Sequence, residues 1–128
     1  MKLCVSSFGK ELNSKVDERF GRAAYFIFID TETEYIQARS NTSQSSGRGA
    51  GIGTAQIVSD EGVDAILTGV VGPNAFEALK ASGIRIYEGA SNLDTVREAL
   101  KRFKKGEFKE ALKPSGGPGT GRRYRGGR

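Results

Sequence analysis

Histidine and tryptophan are absent from the chain, and cysteine occurs once. Without histidine there is no Ser-His-Asp or Cys-His catalysis, no zinc finger, no helical metalloprotease motif and no histidine-ligated metal. A lone thiol excludes an internal disulfide framework and an all-cysteine metal site within one chain. Long apolar runs are also missing: none approaches the roughly 18–20 residues that cross a bilayer. The opening Met1-Lys2-Leu3-Cys4-Val5 turns polar at Ser6, too early for a secretory core. The expectation is a cytoplasmic protein with no membrane contact, acting through backbone amides, carboxylates, hydroxyls, Arg and Lys.

What is present fits one domain: 128 residues, 37% hydrophobic and 27% charged. The net charge of +5 is unevenly placed. Residues 114–128 hold Arg122, Arg123, Arg125 and Arg128 and no acid, so residues 1–113 carry only +1. A near-neutral body argues against a dedicated nucleic-acid surface. Pro114-Ser115-Gly116-Gly117-Pro118-Gly119 has no apolar periodicity. The domain is therefore expected over 1–113, followed by a flexible Gly/Arg-rich tail over 114–128.

Within the body, Lys2–Ser6, Ala24–Asp30, Tyr35–Ser40, Val63–Thr68 and Ile84–Tyr87 read as strands. Asn13–Arg22 reads as a loop, and Gly47–Gly53, with glycine at every second position, as a mobile one. That glycine run matches neither the dinucleotide fingerprint nor the Walker loop. Helices are expected over Ile52–Glu61, with Ile52, Ala55 and Val58 inward, and from Pro73 to Gly83, with Phe76 and Leu79 inward. A last helix is expected to be capped at Ser91-Asn92 through Ser-x-x-Asp to Asp94, with Leu93, Val96, Leu100 and Phe103 inward and Gly106 as its stop. The order β-β-β-α-β-α-β-α gives an α/β fold: one five-stranded mixed sheet with the strand order of an RNase H-like motif. Two-metal nuclease chemistry needs converging carboxylates, and residues 2–9 contain none.

In open sheets of this kind ligands sit at the carboxyl ends of strands, near a switch in strand order. That edge gathers Ser6, Ser7 and Gly9 after the first strand, and Gly69, Gly72 and Asn74 between a buried strand and a helix N-terminus. Free amides there suit an anion, although the glycines also serve a tight turn. Arg19 and Arg22 flank Phe20-Gly21 and can clamp an anionic ligand. The alternative has Arg19 paired with Asp17 or Glu18 and Phe20 plugging the core. Cys4 falls inside a central strand and reads as a buried, inert thiol.

The stretch MKLCVSSFGKELNSKVDERFGRAAYFIFID, followed by GAGIGTAQIVSDEGVDAILTGVVGPNAFEALKASGIRIYEG and TVREALKRFKKGEF, resembles the dinitrogenase iron-molybdenum cofactor biosynthesis family, the nitrogenase accessory factors. The likeness covers residues 1–110, with Arg19-Phe20-Gly21-Arg22, Gly62-Val63-Asp64 and Gly72-Pro73-x-Ala75-Phe76 as its specific combination. It implies a compact α/β domain that binds, carries or delivers an iron-sulfur or iron-molybdenum cluster without catalysing a reaction, with metallocluster donor or acceptor proteins as partners. No metal ligand carries over, because histidine is absent and Cys4 stands where relatives have a small apolar residue. A cluster would be held at its periphery by arginines, the Gly69–Asn74 amides and the hydroxyls of Ser6 and Ser7. Two other classes compete: a module for phosphate or a small organic anion at the same edge, and an RNA-associated protein using the Arg/Gly tail. Oligomeric state is not specified by these patterns.

Overall fold

The computed structural model of the chain describes residues 1–43 and 50–114. The expected tail, from residue 115 on, lies outside the described residues. Eight elements follow in the order anticipated: β1 (Lys2–Ser7), β2 (Tyr25–Asp30), β3 (Ile36–Ser40), α1 (Ala50–Asp60), β4 (Ala65–Leu67), α2 (Pro73–Ala81), β5 (Arg85–Tyr87) and α3 (Val96–Lys104). They build a five-stranded sheet in the order β3-β2-β1-β4-β5. β1 pairs antiparallel with β2 and parallel with β4; β2–β3 is antiparallel and β4–β5 parallel. This is the mixed sheet with RNase H-like order that the sequence predicts.

Both faces of the sheet are covered, which explains why β1 is buried from Leu3 to Ser7 instead of alternating with solvent. The two-residue period divides the strands between two cores. Cys4, Phe26, Phe28 and Ile66 face α1 and α2, which contribute Val58, Phe76 and Leu79. Leu3, Val5, Ile27, Ile29 and Leu67 face α3, which contributes Val96 and Leu100. The result is three layers, with α1 and α2 on one side of the sheet and α3 on the other. Among the described residues, no helix is long and apolar enough to cross a membrane.

Three expectations require correction. α3 does not start at Ser91-Asn92. Its N-cap is Thr95, whose hydroxyl accepts from the Glu98 amide at 3.1 Å while Glu98 Oε1 accepts from the Thr95 amide at 2.8 Å. Ser91 instead closes a turn, its Oγ accepting from the Leu93 amide at 3.0 Å, and Leu93 is 80% exposed. Ile52, expected inward, is half exposed, and α1 buries Ala55, Ile57 and Val58. The glycine run Gly47–Gly53 is not wholly a loop. Gly51 and Gly53 lie in the first turn of α1, while residues 47–49 fall outside the described residues. A Cβ on Gly51 would stand 3.2 Å from Ala75 Cβ of α2, and one on Gly53 would stand 2.8 Å from Ser43 Cβ. Those glycines serve close packing rather than mobility.

Cys4 is 1% exposed, as read from the sequence. Burial, reinforced by the Glu61 carboxylate, pushes its thiol well above the ordinary range. A thiolate is therefore scarce and inaccessible. The native protein should resist Ellman's reagent and iodoacetamide for as long as it stays folded, and react with one equivalent in denaturant. Fast labelling without denaturant would show that the strand opens locally.

Candidate functional site

The chain leaves β1 and β4 at the same end of the sheet and departs from them in opposite directions, towards β2 and towards β5. That is a topological switch point, where the ends of the strands leave a crevice. The segment from Ser14 to Phe20 lies across it. Its backbone bonds run to β1 (Asp17 amide to Ser6 carbonyl, 3.0 Å), to the strand end after β4 (Val70 amide to Glu18 carbonyl, 2.9 Å) and to the entry of α3 (Val96 amide to Ser14 carbonyl, 2.8 Å).

Ser6 and Ser7 are buried behind this segment. Ser6 Oγ donates to the Asp17 carbonyl at 2.6 Å and lies 2.6 Å from Thr68 Oγ1. Since its one proton is spent on Asp17, Thr68 donates to it. Ser7 Oγ donates to the Gly9 carbonyl at 2.8 Å and accepts from the Gly9 amide at 3.1 Å. Both hydroxyls brace the edge from within.

Asp17 is buried, and its carboxylate holds Arg19 in three ways. Oδ1 accepts from the Arg19 amide at 3.0 Å and from Nε at 3.1 Å, and Oδ2 accepts from Nη2 at 3.1 Å. The two hydrogen bonds and the nearby charge raise the guanidinium's pKa further, so it is permanently charged. The Arg19 side chain remains 61% exposed. The ion pair and the buried Phe20, whose ring lies 5.4 Å from that of Phe26, are the features of the structural alternative. The pair uses one edge of the fork and leaves the other Nη facing no partner among the described residues.

Arg19 and Gly69 wall one cleft of about 480 Å³, together with Glu18, Val70 and Gly89–Ser91. A second cleft of about 510 Å³ shares Gly69 and Gly89 and extends to Glu88, Lys109 and Lys113. Gly9 lines a neighbouring depression with Phe8, Ser14, Lys15 and Asn92. Gly72 is the N-cap of α2 and offers no side-chain cap; Asn74 is exposed in the first turn. Arg22 sits elsewhere, on a turn whose carbonyls at Gly21 and Ala23 are tied to Asn41 on the α1 side. The structure thus joins Arg19 with Gly69, backs them with Ser6 and Ser7, and leaves Gly9 and Arg22 on the flanks.

Two of the turn amides expected to be open are already used. Val70 donates to the Glu18 carbonyl, and Val71 donates to Glu88 Oε2 at 2.8 Å. Sequence reasoning missed Glu88, Gly89 and Ser91 as cleft residues. Their signal was available, because they follow β5 at the same carboxyl edge that the switch-point rule singles out. Among the described residues, no group of three or more Cys, Asp or Glu side chains is arranged to hold a metal ion.

Gly69 is fixed by crowding. A Cβ there would lie 2.6 Å from the Glu18 carbonyl oxygen and 2.8 Å from its Cα, and backbone cannot swing aside. Gly69→Ala should cost about 1–3 kcal/mol through forced backbone shifts, read from urea unfolding midpoints. An unchanged midpoint would mean that the Ser14–Phe20 segment is loosely held.

A one-domain α/β protein with an open groove along the carboxyl edge of its mixed sheet is the class these observations define. More narrowly, the chain belongs to the dinitrogenase iron-molybdenum cofactor family, whose model matches residues 1–106. It is 40% identical to the orange protein of Desulfovibrio gigas, solved in its apo form, with a TM-score of 0.86 over 90% of this chain and 96% of that one. A Thermotoga protein described as a candidate NifB protein is 36% identical, with a TM-score of 0.76 over 90% and 98% of the two chains. An uncharacterized protein of Methanocaldococcus jannaschii is 28% identical over 101 residues, 77% of this chain and 84% of that one.

Proposed function

We propose that this chain is a non-catalytic carrier or accessory protein that holds an iron-sulfur or iron-molybdenum type cluster, as cargo, in the carboxyl-edge groove. Membership of the family supports the class of cargo. The observation that carries the mode of binding is Arg19, presented at the cleft mouth by a buried carboxylate with half of its fork unspent. A planar guanidinium contacts several anionic sulfurs or oxygens at once. The cluster is held through its outer atoms, since the chain has no histidine and Cys4 is sealed in the core.

In this reading Arg19, Gly69, Gly72 and Asn74 meet the cargo, Ser6 and Ser7 keep the edge rigid, and Gly9 and Arg22 border it. Residues 1–113 suffice for binding, and the Arg/Gly tail takes no part. The partners are metallocluster donor and acceptor proteins of the cytoplasm. The test is anaerobic titration with a preformed iron-sulfur cluster, then gel filtration and metal counting. Metal should co-elute with the parent protein, with Cys4→Ala and with a chain truncated after Pro114. Metal-free elution of the parent would leave the small-anion module as the better account. Loss of metal in Cys4→Ala alone would point to thiolate ligation. RNA retention abolished by the truncation would favour the tail-based reading.

A further inference from the structure

Among the large apolar side chains left exposed, Phe8 (49%) and Leu93 (80%) are tied to the same lysine. The Phe8 amide donates to the Lys15 carbonyl at 3.0 Å, and Lys15 Nζ donates to the Leu93 carbonyl at 3.2 Å. Phe8, Lys15 and Asn92 line one depression. The Asn92 amide in turn donates to Glu18 Oε2 at 2.8 Å, and Glu18 walls the Arg19 cleft. This apolar rim therefore borders the groove.

A basic row continues it. Thr95, the cap of α3, bridges to Lys15, and from there Arg97, Lys101 and Lys105 recur every four residues, the spacing of neighbours on a helix surface. All three are exposed, and none makes an ion pair among the described residues. Arg102 and Lys104, by contrast, are engaged by Asp94, Glu107 and Glu34. The Thr95 amide, followed by the charges of Lys15 and Lys101, holds the Glu98 carboxyl below its ordinary range, so both lysines act on one place. Lys15, Arg97, Lys101 and Lys105 stand against Glu98 and Glu11, leaving the surface positive. An apolar centre beside unpaired bases complements an acidic protein surface that has an apolar centre of its own. A second copy of the chain would bring the same sign of charge and be repelled. A duplex backbone offers nothing apolar to Phe8 and Leu93. We propose that Phe8, Leu93, Lys15 and the row of Arg97, Lys101 and Lys105 form a docking surface for an acidic protein partner, seated beside the groove. The inference stands apart from the cargo reading and is tested without a cluster.

Amide NMR of the full chain, titrated with a synthetic peptide of glutamates around two leucines, is the test. Resonances of Phe8, Lys15, Leu93, Arg97 and Lys101 should shift, while those of α1 and α2 stay in place. Raising the salt from about 0.05 M to about 0.5 M should weaken binding at least about tenfold. Lys101→Glu and Leu93→Ser should each weaken it about fivefold, with melting temperatures near the parent's because both side chains are exposed. No binding to the parent, or shifts confined to α1 and α2, overturns the proposal. Equal binding of a peptide whose leucines are replaced by serine also overturns it, since charge alone would then suffice. A short DNA duplex that binds as tightly at the same salt overturns it too, and makes the row a general polyanion surface. Cluster titration of Leu93→Ser should match the parent, so the docking and cargo readings can fail separately.

Discussion

Replacing Phe76 with alanine should destabilise the fold by about 3–5 kcal/mol, the range for a large aromatic removed from a closed core. Phe76 is 4% exposed and hangs from α2 onto the sheet face formed by Cys4, Phe28 and Ile66. Pro73 at the first position of α2 fixes where the helix starts, and so fixes that Phe76 rather than Glu77 points down. For a domain of this size the loss should lower the melting temperature by roughly 10–25 °C. Phe76→Leu, which keeps most of the buried volume, should recover the larger part. A thermal or urea melt that leaves Phe76→Ala as stable as the parent would refute the placement of α2, and with it the wall of the groove that α2 opens from.

Arg19→Ala should be the most damaging single change to ligand binding; because it also takes two hydrogen bonds from the buried Asp17 carboxylate, a thermal melt of the variant accompanies the titration. Hydrogen bonds to charged groups contribute about 1.5–3 kcal/mol, which converts to a loss of about tenfold to a hundredfold in affinity. Arg19→Lys should restore only part of it, since an ammonium lacks the planar fork. Asp17→Asn should weaken binding less than Arg19→Ala, because the guanidinium survives but loses its bidentate hold. Equal affinity for parent and Arg19→Ala, measured by anaerobic titration and metal counting, would remove Arg19 from the site.

The fold was legible because its signals are local. Aromatic and β-branched runs such as YFIFID mark strands, and Pro73 and the glycines after each helix mark boundaries. The start of α3 was misread because two capping patterns lie four residues apart. Ser91-x-x-Asp94 and Thr95-x-x-Glu98 look alike in sequence. The choice falls to Thr95 because the Asp94 carbonyl is taken by the Val16 amide at 3.1 Å, a tertiary bond. α1 was misread for a related reason, since the purpose of Gly51 and Gly53 shows only once Ala75 and Ser43 are packed against them. The candidate cleft was half legible. Arg19 and Gly69, which line it together, were singled out by residue type and by position at strand ends. The grips of Glu18 on Asn92 and of Glu88 on Val71 join distant segments with no period or motif.

The crossing of the carboxyl edge by Ser14–Phe20 also determines how the groove breathes. This segment is pinned to β1, to the strand end after β4 and to the entry of α3, so it has no hinge of its own. Exchange of the Asp17 and Val70 amides with solvent deuterium should therefore follow global unfolding rather than a local excursion. A ligand seated on Arg19 would draw on the cooperativity of the whole domain. At a free concentration one hundred times its dissociation constant it would add about 2.7 kcal/mol to the unfolding free energy. Both sheet faces, and not only the groove, would become slower to open.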